Sequence, residues 1–231
     1  MEKPLNTITV VFMGDSITEG QHIDPPHRWV DIVSAEMSQH YTNSPFALSC
    51  LAKGISGETS RQGLERFPRD VQAWVPDVVT LQFGLNDCNC WDTDGGLPRV
   101  SEAAYRANLV EMIERCRRFG AEQIILSNNH VTLRHQKLSN ERTLEEQRVR
   151  YNRLVKDVAD ETRVTFCDIE SEFVGLSRHE LERELLGPPD LLHLSRDGHR
   201  RYASKIKLYV AAAIEAAMRN RVAVATMERE L

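Results

Sequence analysis

The stretch Thr7-Ile-Thr-Val-Val-Phe-Met-Gly-Asp-Ser-Ile-Thr-Glu-Gly20 joins a short apolar run to a turn of small and polar residues. The run is rich in β-branched residues and does not alternate cleanly with polar ones, which is the pattern of a strand buried on both faces. Four further runs read the same way: Phe46 to Leu51, Val78 to Phe83, Gln123 to Leu126 and Val164 to Cys167. Between them lie helical stripes. Tyr105, Leu109, Met112, Ile113 and Cys116 share one face, as do Tyr151, Leu154, Val155 and Val158. A last helix is predicted from Asp197 to Arg219, with Tyr202, Ile206, Tyr209, Val210 and Ala213 facing inward. Five alternations of strand and helix predict an α/β protein with a mostly five-stranded parallel sheet, built from right-handed βαβ units and covered by helices on both faces. The product is a three-layer α/β/α sandwich.

Composition sets the limits around that core. A chain of 231 residues with no hinge-like segment reads as a single domain over 1–231. Hydrophobic residues at 41% and charged residues at 27% exclude a disordered or fibrous chain. A net charge of −5 leaves no basic surplus to grip a phosphate backbone, so no nucleic-acid partner is expected. The first nine residues lack the pattern of a signal peptide, and no stretch approaches the roughly 18–20 apolar residues of a membrane helix. The expectation is a cytoplasmic protein without stable membrane insertion. Five cysteines at irregular spacing fit reduced thiols, and Cys88-Asn-Cys90 lacks the second pair of a zinc ribbon. The polar stretch from Asn128 to Gln147 reads as a mobile loop or lid, or equally as a solvated loop without function. The segment Arg219 to Leu231 reads as a helix end or a contact surface, and a homo-oligomer is compatible with it.

In such a sheet, ligands bind beyond the carboxyl ends of the strands. The first strand ends in Gly14-Asp-Ser16, the second leads into Lys53-Gly-Ile-Ser-Gly57, and the third into Gly84-Leu-Asn-Asp87. The fourth ends at Ser127-Asn-Asn-His130, and Gly187-Pro-Pro-Asp-Leu-Leu-His193 precedes the last helix. Ser16 is a candidate nucleophile held at the sheet rim, or alternatively a helix N-cap. Asp190 and His193 stand three apart and share a face if the segment makes a helical turn. The carboxylate then fixes the imidazole tautomer, leaving the other ring nitrogen to take the serine proton. The backbone N–H groups of Ser16 and Gly54 and the side-chain amide of Asn86 are candidate oxyanion donors from three adjacent strands. Gly54 suits the role because it lets substrate approach the backbone. A plain turn glycine and an Asx-turn cap are the alternatives for Gly54 and Asn86.

Gly14-Asp-Ser-Ile17, Gly54, Gly84-Leu-Asn-Asp87 and Asp190-Leu-Leu-His193 resemble the four ordered sequence blocks of the SGNH hydrolases, the GDSL esterase/lipase superfamily. The resemblance spans residues 8 to about 210 and includes Ser56-Gly-Glu-Thr59 and Asp197-Gly-His199. It implies a flavodoxin-like fold with Ser16 as nucleophile, Gly54 and Asn86 completing the oxyanion hole, and His193 and Asp190 as base and orienting acid. Relatives often carry Asn where this chain has Ala52. The Gly-x-Ser-x-Gly elbow of the α/β-hydrolases is absent, because Thr18 holds the second glycine position. No nucleotide-cradling glycine motif occurs, and His179-Glu180 is followed by Arg183 where a zinc-protease helix needs His. No cofactor and no catalytic metal are therefore expected.

The expected activity is hydrolysis of a small-molecule carboxylic ester through an acyl-enzyme. An aromatic content of 6% and the lack of a broad apolar lid favour a small acyl group, acetyl first. Acetylated carbohydrate is among the substrates the resemblance implies, with Trp91, Asp92, His130 and Arg134 as polar loop residues able to meet a sugar. A lysophospholipase or thioesterase activity is the near alternative. An acyltransferase using the same Ser–His pair, or a binding module on the same scaffold, stands further off.

Overall fold

Every N–H and C=O of a buried strand needs a partner, and the five apolar runs meet that need by pairing with one another. The computed structural model describes residues 6–227. Part of the amino-terminal stretch read for a leader, and the end of the Arg219 to Leu231 segment, lie outside the described residues. Strands β1 (Thr7–Gly14), β2 (Ala47–Gly54), β3 (Val78–Gln82), β4 (Gln123–Ser127) and β5 (Thr165–Cys167) form one parallel sheet in the order β2-β1-β3-β4-β5. This is the flavodoxin-like order, whose winding reverses between β1 and β3 and opens a crevice there at the carboxyl ends.

Strands β1 and β3 lie inside the sheet and are buried along almost their whole length, as strands covered by helices on both faces must be. Strand β2 differs from its expected character. It is an edge strand, half-buried at most positions, and it continues to Gly54 because Ala52, Lys53 and Gly54 stay in register with Phe12, Met13 and Gly14. Helices α2 (Trp29–His40) and α7 (Arg196–Met227) cover one face; α3 (Ser60–Asp70), α4 (Glu102–Arg118) and α5 (Leu144–Thr162) cover the other. The stripe on α4 is buried at Tyr105, Leu109, Met112, Ile113 and Cys116, and α7 buries Tyr202, Ile206, Val210 and Ala213. No helix among the described residues is long and apolar enough to cross a membrane.

The stretch 128–147 divides in two. Asn128, Asn129, His130, Thr132 and Leu133 are buried, whereas most of 135–142 is exposed and closed by a bond from the Leu138 N–H to the Arg142 carbonyl (2.8 Å). Its first half is thus an interior strut rather than a lid.

Candidate active site

The one-turn helix α1 (Ser16–Glu19) sits on the ends of β1 and β2. Its N-cap is Asp15, whose Oδ1 accepts the Ile17 N–H at 3.0 Å, so the Ser16 hydroxyl is not consumed by capping. As the first helical residue, Ser16 also carries an N–H with no intrahelical acceptor. A Cβ at Gly54 would lie 2.1 Å from the Glu19 nitrogen, and one at Gly14 would lie 2.2 Å from Thr18 Oγ1. Gly54 therefore makes room for α1. Thr18 Oγ1 donates to buried Gln82 (2.9 Å), which donates on to Asn129 Oδ1 (2.8 Å). Arg66 donates to the carbonyls of Gly14 (2.9 Å) and Lys53 (3.0 Å), tying the ends of β1 and β2 together. From the other side, Trp29 Nε1 donates to the Ile17 carbonyl (2.8 Å), and its backbone N–H donates to His199 Nδ1 (3.2 Å).

The segment Asp190 to His193 is not helical, contrary to the expected helical turn. It is a turn organised by its own carboxylate. Asp190 Oδ1 accepts the backbone N–H groups of Leu192 (2.9 Å) and His193 (2.6 Å), while Leu191 bends the chain through φ +54°. Oδ2 is thereby aimed at His193 Nδ1 (2.7 Å), and His193 Nε2 lies 2.9 Å from Ser16 Oγ across 177 residues of sequence. The buried strut fixes this turn through three successive carbonyls: Arg134 Nε donates to Asp190 O (2.6 Å), the Leu133 N–H to Leu191 O (2.9 Å), and His130 Nε2–H to Leu192 O (2.8 Å). His130, expected among the residues that meet a sugar, is fully buried and supports the turn instead. Trp91 and Asp92 are exposed, and Arg99 lies over the Trp91 ring with its guanidinium carbon 4.2 Å from the centroid.

Protonation follows from these surroundings. Burial alone would raise the Asp190 pKa, but hydrogen bonds from the His193 ring and from two backbone N–H groups outweigh it and hold the carboxyl below its ordinary value. An ionised Asp190 stabilises the Nδ1–H tautomer of His193, leaving the Nε2 lone pair toward the serine. Burial pushes His130 down to about 4 and His199 to about 3, so both stay neutral. Burial raises Asp15 to about 7 and Asp87 to about 6; Asp87 accepts from the Ser60 N–H at 2.9 Å.

Ser16, His193 and Asp190 are thus brought into one chain of hydrogen bonds. Gly54 ends the strand on one side of β1, directly opposite Gly14. Asn86 follows the strand on the other side, and its Nδ2 donates to the Glu58 carbonyl (3.0 Å) in the loop after β2. That bond crosses between loops, so Asn86 is not a local Asx-turn cap. Sequence reading missed the supporting roles of His130, Trp29 and Arg66. These residues act on backbone carbonyls or through a backbone N–H, which leave no mark in side-chain patterns.

The pattern of the GDSL-like Lipase/Acylhydrolase family matches residues 12–201. The lipoprotein YqeF of Bacillus subtilis, itself uncharacterized, is 34% identical over 124 residues, which are 51% of this chain and 47% of that protein. The esterase TesA of Pseudomonas aeruginosa is 27% identical over 118 residues, 51% of this chain and 53% of its own. The aligned region thus spans about half the length of these two relatives. An acetylxylan esterase of Geobacillus stearothermophilus is 28% identical over 178 residues, covering 71% of this chain and 77% of that enzyme. The crystal structure of Axe2, an acetylxylan esterase from Geobacillus stearothermophilus, superposes with a TM-score of 0.68 over 90% of this chain and 94% of that one, at 24% identity. With the family pattern running from β1 into α7, the chain belongs to the GDSL-like lipase/acylhydrolase family.

Proposed function

We propose that this protein is a serine esterase that hydrolyses carboxylic esters of a small acyl group, acetyl on a carbohydrate first, through an acyl-enzyme. The observation that carries this reading is the relay from Ser16 Oγ through His193 to Asp190, with links of 2.9 and 2.7 Å. Ser16 Oγ attacks the acyl carbon while His193 Nε2 takes its proton. His193 then gives that proton to the leaving alcohol, and the same nitrogen activates the water that releases the acid. The buried position of His130 and His199 leaves His193 as the imidazole of this site that faces the hydroxyl. The five unpaired thiols support a reducing compartment.

The developing oxyanion is met by the N–H groups of Ser16 and Gly54 and by Asn86. A carboxamide has two N–H donors, and one of those on Asn86 is taken by the Glu58 carbonyl. The second is the proposed oxyanion donor, held in place by the first. Asn86→Ala is expected to lower kcat by about 10²–10³, or roughly 3–4 kcal/mol, with KM nearly unchanged. A folded variant within fivefold of the parent would remove Asn86 from the role.

The acetyl preference draws on the acetylxylan esterase among the relatives. A series of p-nitrophenyl esters of rising chain length, run beside a panel of acetylated sugars, tests it. The expected result is highest kcat/KM at acetyl, with release of acetate from sugars. A maximum at long acyl chains would turn the assignment toward a lysophospholipase or thioesterase, and acyl transfer to added alcohol at the expense of acetate would turn it toward a transferase.

A further inference from the structure

His22 stands beside the relay without taking part in it. It lies in the loop between α1 and α2 and holds φ at +67°, a left-handed conformation uncommon for a residue with a side chain. That bend puts its exposed ring at right angles to His193, with centroids 5.7 Å apart and planes at 86°. The Gln21 side-chain amide donates to His22 Nε2 at 2.9 Å, so the one lone pair of this ring lies on Nε2, and the Gln21 amide gives it up when a metal binds there. One ligand atom each of His22, Asp190 and His193 falls within 4.8 Å of the others.

From this juxtaposition we infer that His22, Asp190 and His193 form an inhibitory site for a borderline divalent transition metal, with zinc the best match. Two imidazoles and one carboxylate are the ligand types zinc takes, with a water completing the tetrahedron. Ligands about 2.0–2.2 Å from a tetrahedral ion stand about 3.4 Å apart, so His22 must close in by up to roughly an ångström, while Asp190 Oδ2 and His193 Nδ1, 2.7 Å apart, open slightly as the ion replaces the proton between them. His22 supplies that movement, because it is exposed and carried on a loop. Asp190 and His193 are held by the turn and its strut. The opposing charge is Arg134, whose Nη2 lies 4.0 Å from Asp190 Oδ2. Its Nε is already bonded to the Asp190 carbonyl, which keeps the guanidinium at the rim.

Inhibition follows from counting lone pairs. A neutral imidazole has one. With Asp190 Oδ2 2.7 Å from Nδ1, the metal takes Nδ1, and the ring proton moves to Nε2, where it faces Ser16 in place of the lone pair that would receive the serine proton. No outside acid, base or oxidant is needed, and removing the metal restores the resting tautomer. The inhibitory effect rests on the reading of His193 as general base; the binding does not.

The test pairs calorimetric titration of the tag-free protein with zinc chloride, in a buffer that does not bind metal, with initial rates on p-nitrophenyl acetate. The expected result is one zinc bound per chain, inhibition that follows occupancy, full recovery with EDTA, and basal kcat in His22→Ala within twofold of the parent. His22→Ala should weaken both binding and inhibition by about tenfold or more, since even partners outside the ligand set are worth 10–100-fold in metal affinity. Ser16→Ala should bind zinc as the parent does. Unchanged zinc binding in His22→Ala overturns the site. Binding that depends on His22 but leaves the rate untouched upholds the site and instead refutes His193 as the base.

Discussion

Ser16→Ala is expected to lower kcat on p-nitrophenyl acetate by about 10⁶, His193→Ala by about the same, and the double variant by no more than either alone. The reason lies in the relay. The hydroxyl is a nucleophile only while Nε2, 2.9 Å away, can take its proton, and the imidazole has no other acid to deprotonate there. Removing one partner therefore removes the work of both. What remains is catalysis by the oxyanion donors and by substrate binding, about 10³–10⁴ over water. Neither substitution should unfold the protein. Ser16 loses one oxygen from a one-turn helix capped by Asp15, and His193 stands at the site rim, 13% exposed at its side chain. Rates on single and double variants, with melting curves to confirm folding, check this. Independent, multiplying losses would show that Ser16 and His193 do not act as a unit.

The sheet was legible because its signal is local. An interior strand of a doubly wound sheet must be largely apolar on both faces, and Val10 to Met13, and Val78 to Leu81 apart from buried Thr80, meet that demand within a few residues. The edge strand β2 was less legible because one side needs no cover, so its ending at Gly54 depends on register with β1 rather than on its own side chains. The proposed reacting groups are legible as residue types in order. Their geometry was not. Asp190 and His193 suggested a helical turn by spacing alone, whereas the turn is made by two N–H groups converging on Oδ1. The stretch 128–147 reads from its sequence as a mobile loop or lid, or equally as a solvated loop, for a similar reason. Asn128, Asn129, His130 and Thr132 are polar but buried, each held by side-chain or backbone partners from β5, α5 or the triad turn, and hydropathy cannot distinguish a satisfied buried amide from a wet one.

Asp190→Asn is expected to cost about 10⁴ in kcat while leaving the fold intact. The carboxamide oxygen can occupy the place of Oδ1 and go on accepting the Leu192 and His193 N–H groups, so the turn and its strut persist. The amide nitrogen then takes the place of Oδ2 and presents a donor to His193 Nδ1. The ring answers by placing its proton on Nε2, the nitrogen that faces Ser16, and the general base is lost without any movement of heavy atoms. Asp190→Ala differs in kind: two backbone N–H groups lose their acceptor, and stability falls by about 1–3 kcal/mol together with activity. Stability against pH separates the charge from the geometry. The folded pKa of Asp190 lies below its ordinary value, so the stabilisation owed to its charge is present above the ordinary carboxylate range and is lost as pH falls through the lowered pKa. A melting-temperature gap between the parent and Asp190→Asn at neutral pH should therefore close in acid, while the kcat deficit at neutral pH remains near 10⁴. A gap that widened on acidification, or an Asn variant with near-parental kcat, would show that the carboxylate does not orient the imidazole.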